Sequence, residues 1–150
     1  MDSLFKTETK QQFIERINKL TPQSQAQWGK MNVGQMLTHA QKPFEIASGK
    51  LVPKVNALIK LLFGKSAKRS IVNDPQFKKN IPTFAEAKIT DERVFETEKQ
   101  KLLESLEYFH NKGPEGITKA PHPFFGAMTI EEWDKLQSKH LDHHLRQFGV

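Results

Sequence analysis

Half of the six histidines lie within five residues near the C-terminus, in the run Lys139-His140-Leu141-Asp142-His143-His144-Leu145-Arg146-Gln147. On a helix advancing about 100° per residue, His140 and His144 stand one turn apart and about 40° around the axis. Trp133, Leu136 and Gln147 share that sector, so both imidazoles are expected to face inward. Asp142 falls roughly opposite, toward water, and His143 lies at the edge. Two imidazoles at i and i+4 can hold one divalent ion, because their ring nitrogens converge over the same turn. Without a metal, each inward ring needs a polar partner, and protonating both in a core is costly. A third ligand has to come from another helix, and His39, beside an apolar stripe, is the natural candidate. Three neutral imidazoles would leave positions open for water or substrate. On spacing alone, hydrogen-bonded core histidines and a surface cluster that takes up metal adventitiously remain alternatives.

The other histidines read differently. His110, near a helix end, is expected to be exposed and favourable to the C-terminal dipole. His122, between Pro121 and Pro123, reads as structural. Leu141 stands where zinc-protease helices carry a glutamate after the first histidine, which argues against peptide-bond hydrolysis of that kind. With no cysteine, thiolate metal sites, iron–sulfur clusters, disulfides and cysteine nucleophiles are excluded.

The elements that must position these rings follow from periodicity. Thr7 is expected to cap a first helix with Phe13, Ile14, Ile17 and Leu20 on one side, ended by Thr21-Pro22. Trp28 reads as a buried plug between helices. Asn32 and Gln35 make a capping box. They open a second helix with the stripe Val33, Met36, Leu37, Ala40, Phe44 and Ala47, in which Pro43 should mark a kink or break. Val55, Leu58, Ile59 and Leu62 recur at helical spacing. The stretch beyond them, to about Thr90, is rich in turn formers and reads as a long irregular crossover. Thr90 is expected to cap a third helix buried through Phe95, Leu102, Leu106 and Phe109. Thr129 and Glu132 form a second capping box, opening a helix that runs nearly to Val150. No strand pattern or repeat appears. The expected fold is all-α: a four-helix bundle in a single domain over residues 1–150, with a long crossover between helices two and three.

Three stretches carry a resemblance to a known family. WGKMNVGQMLTHA, HPFFGAMT and EEWDKLQSKHLDHHLRQFG together resemble a bacterial branch, of unknown function, of the DinB-like (YfiT-like) superfamily. The resemblance covers most of the chain and is most specific at the C-terminal HLRQ ending. It implies a four-helix bundle and a divalent metal held by one histidine on helix two and an HxxxH pair on helix four. On this chain those are His39, His140 and His144. Zinc or nickel are the foremost candidates, with iron and copper also suited to imidazole. The resemblance also implies metal-dependent chemistry with low-molecular-weight thiols such as bacillithiol or mycothiol as cosubstrates.

The leading expectation is therefore a metal-dependent enzyme transferring a small thiol to an electrophile, a small-molecule substrate, or a related hydrolase. Trp28, Met36, Phe124 and Trp133 are candidate pocket walls, and Gln35 and Gln147 candidates to orient ligands or substrate. The alternative is a non-catalytic binding or stress-response module that the metal merely stabilises. The net charge of +6 bears on partners. Lys50, Lys54, Lys60, Lys65, Lys68, Arg69, Lys78 and Lys79 face Asp74 alone between residues 50 and 80, a local balance of +7 that leaves −1 for the rest. That segment suits nucleic acid, an anionic membrane surface, an acidic partner or the steering of an anionic cosubstrate. It lacks the aromatic interleaving of a nucleic-acid binder. The absence of a signal core or spanning stretch fits a cytoplasmic protein. A homodimer remains open.

Overall fold

A computed structural model describes residues 2–150. It holds five α-helices: α1 Thr7–Asn18, α2 Val33–Ala47, α3 Ala57–Asn73, α4 Phe95–Lys112 and α5 Ile130–Gln147. Among the described residues there is no strand, only one isolated bridge between His122 and Gly126. Among the described residues no helix is long and apolar enough to cross a membrane.

The expected bundle is formed by α1, α2, α4 and α5. α1 packs on α4 and α5, and α2 packs on the same two from the other side. Each helix supplies one buried row. Phe13 and Ile17 come from α1, Met36, Leu37 and Ala40 from α2, Leu102 and Leu106 from α4, and Leu141 and Leu145 from α5. Both expected capping boxes are present, Asn32 with Gln35 and Thr129 with Glu132. They fix the starts of the two helices that carry the C-terminal pair and His39.

Several local expectations are corrected. Thr7 lies inside α1, whose N-cap Lys6 makes no side-chain cap. α2 runs through Pro43 without a break. The crossover is not mostly irregular, because α3 continues to Asn73 and adds a fifth helix to the four expected. Gly64, which reads as a turn former, is instead a contact point. A Cβ there would lie 2.7 Å from the Phe124 carbonyl oxygen, so only glycine lets this backbone approach so closely. α4 starts at Phe95 with Val94 as N-cap, not at Thr90. The Arg93 backbone lies against Gly34 of α2, where a Cβ would sit 2.7 Å from the Arg93 carbonyl oxygen. Asp91 accepts from the Gln35 side chain through its carbonyl. These contacts hold the chain across α2 for another turn's length before helix can begin.

The crossover is tied to the bundle at few points. Lys139 of α5, 5% exposed, donates through Nζ to the carbonyls of Ser70, Ile71 and Asp74. A lysine from another helix thus supplies the cation and donors that the C-terminal end of α3 needs. Lys68 of α3 pairs with Glu132 of α5 at 2.8 Å.

Candidate metal centre

His39 sits midway along α2, and His140 and His144 one turn apart on α5. Each offers a ring nitrogen within 4.8 Å of those of the other two. Ring centroids are 5.0 Å apart for His39 and His140, 4.6 Å for His39 and His144, and 4.5 Å for His140 and His144. The α2–α5 packing therefore joins residues 101 positions apart in sequence into one cluster.

The outer ring nitrogens of His39 and His144 are held by the protein. His39 Nδ1 lies 2.7 Å from the Ala87 carbonyl oxygen, which can only accept, so the proton is on Nδ1 and the Nε2 lone pair points inward. His144 Nδ1 lies 2.8 Å from Gln147 Oε1, and the Gln147 amide donates in turn to the Trp28 carbonyl at 2.7 Å. The Trp28 bond fixes which end of the Gln147 amide faces His144, so His144 also donates from Nδ1 and turns Nε2 inward. This is the arrangement in which a second partner sets the tautomer of a ligating histidine. His39 Nε2 and His140 Nε2 are 3.2 Å apart. A tetrahedral ion with nitrogen ligands at 2.0–2.1 Å requires them about 3.3 Å apart. The donor set, its separation and the tautomers of His39 and His144 therefore fit a divalent ion of borderline softness.

Burial also keeps the rings neutral. It holds the His140 pKa well below its ordinary value, with His144 and His39 adding repulsion. Burial and the His39 ring bring His144 down to about 3. His39 is lowered by burial, against the opposing bond to Ala87. All three are thus neutral at neutral pH, the form a ligand needs.

The rings line one wall of a cavity of about 890 Å³. Its other walls come from the 28–31 segment, α3, the 77–89 segment and the 122–125 loop. Trp28, Phe63, Phe77, Phe84, Phe124 and Phe125 make it largely apolar. Lys30, Lys42, Lys54, Lys78 and Lys88 also line it, and no carboxylate does.

Of the expected walls, Trp28 and Phe124 line the cavity, whereas Met36 and Trp133 are core side chains at 0% and 2% exposure. Trp28 is half-buried and edges onto His143, with Lys79 4.2 Å from its ring centre, so it is not a plug between helices. Gln147 orients His144, but Gln35 only caps α2 and holds Asp91. His143, expected at the edge of the inward sector, faces in. It is buried against Trp28 and Phe77, lines the cavity, and its Nδ1 has no partner among the described residues. Asp142 does not face water but pairs with Arg16 of α1 at 2.9 Å. His110 is half-buried and donates to the Leu4 carbonyl. His122, expected to be structural, is buried, borders the cavity and accepts through Nδ1 from the Phe124 and Phe125 amides, which shapes the cavity loop. Sequence reasoning missed Ala87, because a backbone carbonyl carries no side-chain signal.

The family described as a protein of unknown function, DUF1569, matches residues 3–149, and the chain belongs to it. No curated protein and no solved structure matches the chain.

Proposed function

We propose that this DUF1569 protein is a metal-dependent enzyme of the DinB-like kind, with His39, His140 and His144 as ligands of a divalent ion, zinc or nickel, and a low-molecular-weight thiol as cosubstrate. One observation carries the reading: the three inward-turned imidazoles stand on the wall of a large cavity instead of being sealed in the core. Three protein donors with a cavity before them are the pattern of a catalytic site, whereas a structural site is closed by a fourth side chain.

Bound there, a divalent ion supplies a Lewis acid that lowers the pKa of a thiol or water at its open position. The chain's own residues do the rest. Ala87 and Gln147 hold the His39 and His144 rings at fixed orientation. The aromatic walls exclude water from an electrophile. The lysines at the cavity attract the carboxylates of a small anionic thiol. The unpartnered Nδ1 of His143 is placed to hydrogen-bond a bound molecule. No cysteine is present, so the sulfur nucleophile has to arrive with the cosubstrate.

Metal analysis of untagged protein should find about one ion per chain. Ala at His39, His140 or His144 should remove it, and His143→Ala should retain it. Metal-loaded protein should then transfer glutathione-, bacillithiol- or cysteine-type thiols to model electrophiles, weakened by salt and abolished by His140→Ala. Metal without transfer above the mutant background sinks the thiol chemistry and leaves a hydrolase or a non-catalytic metal module. No metal in the wild type sinks the whole reading.

A further inference from the structure

Among the described residues, seven of the ten large apolar side chains that stand exposed lie between residues 52 and 81, so they form a patch and not a scatter. Its centre is the first half of α3. Leu58, Leu61 and Leu62 share one outward face, at 62%, 77% and 62% exposure. Helical spacing continues that face into Lys65 and Arg69, both exposed. From residue 50 to residue 73 there is no Asp or Glu, against six Lys and Arg. On the next side of the helix, Ile59 and Phe63 are half exposed and also line the cavity. The apolar face is thus continuous with the cavity wall.

We propose that α3 docks this protein on an anionic lipid surface, with Leu58, Leu61 and Leu62 inserted at the headgroup boundary and Lys65 and Arg69 on the lipid phosphates. Exposed leucines followed along the same face by cations, with no acid between them, offer an anionic interface both apolar burial and charge attraction. Charge selects this occupant over a second copy, since a self-interface would press two segments of six cations together. Leucines select it over nucleic acid, whose phosphate backbone offers them nothing. Docking there sets the cavity wall against the acyl region, from which an apolar electrophile can enter without crossing water. The docking itself stands apart from the metal chemistry.

The test is co-sedimentation of the full chain with phosphatidylcholine vesicles, with and without phosphatidylglycerol. Binding is expected on the anionic vesicles and to fall with salt. The Lys65→Gln/Arg69→Gln variant should lose about thirty-fold in affinity, at roughly 1 kcal/mol per cation near the surface. The Leu58→Ser/Leu61→Ser/Leu62→Ser variant should lose about tenfold or more. Its side chains are solvent-exposed, and circular dichroism verifies that it remains folded. A control of equal charge change elsewhere, Lys19→Gln/Lys119→Gln, should lose less than about threefold. The proposal is overturned if the wild type ignores anionic vesicles or if the leucine variant binds them as well as the wild type. It is also overturned if sedimentation shows a wild-type dimer that the leucine variant dissolves, without vesicle binding.

Discussion

In the bundle, Leu102, Leu106, Leu141 and Leu145 are fully buried, whereas in the crossover Leu58, Leu61 and Leu62 are mostly exposed. The same residue type at the same helical spacing packs in one region and faces outward in the other. α3 has only Gly64 and Ile71 buried, while α2 has eleven buried residues out of fifteen. Apolar burial therefore holds the bundle together, whereas the crossover joins it through a few apolar contacts, Ile71, Phe77 and Phe84, and through polar tethers: Lys139 on the end of α3, Lys68 on Glu132, and His39 on Ala87. The cavity lies where the two regions meet. Its three imidazoles belong to the rigid side, and most of its apolar lining to the tethered side.

That contrast can be broken first where it is strongest. Leu102→Ala should destabilise the whole chain by about 2–5 kcal/mol, read from the urea midpoint, because it opens a cavity in the bundle. A loss below about 1 kcal/mol would mean that the bundle is not the stabilising unit.

The next effect is pH dependence, and His122 isolates it from the three-histidine cluster. Burial brings the His122 pKa down from 6.5 to about 4, and Lys60 adds to the shift. Above pH 6.5 both folded and unfolded states are neutral there, and its contribution is complete. As the pH falls below that value, the unfolded chain takes up a proton that the folded protein refuses until about pH 4. Stability is therefore lost on acidification across that window, by about 3 kcal/mol from this ring. His122→Asn keeps an acceptor for the Phe124 and Phe125 amides and should flatten the fall. An equally steep fall in the variant would place the acid sensitivity elsewhere.

Lys139→Met sharpens the comparison from the tether side. Hydrogen exchange of α3 amides should speed up by roughly 10- to 100-fold, matching about 1.5–3 kcal/mol for lost charged hydrogen bonds. The α4 amides should stay as they are. Equal acceleration in both would show one cooperative unit instead of two regions.

Leu61→Ser should change global stability by no more than about 0.5 kcal/mol in either direction, measured by the same urea titration. A larger loss would reveal that α3 packs more fully than its exposure suggests.

The bundle was legible in the sequence because α2 and α5 begin with capping boxes and all four of its helices bury regular rows. Asn32, Thr129 and the stripes through Leu37 and Leu102 announce themselves locally. The convergence of His39 with His140 and His144 was legible as well, since the inward faces of α2 and α5 follow from those rows. What escaped depended on contacts distant in sequence. Gly64 reads as a helix stop until Phe124 is seen packed against it, and Thr90 reads as a cap until Arg93 is seen lying across Gly34. His143 looked peripheral because helical angle alone does not reveal that Trp28 and Phe77 cover it.

One bond acquires a thermodynamic meaning from this division. The His39 ring contacts the crossover through Nδ1 and the cluster through Nε2. A cation or proton donor at Nε2 polarises the ring and makes Nδ1–H a stronger donor to Ala87. Reciprocity then applies: whatever strengthens the hold on the 85–87 turn by some factor is itself held more tightly by that factor when the turn is seated. The imidazole is thus a two-port coupler, through which occupancy of the site and seating of the crossover each report on the other.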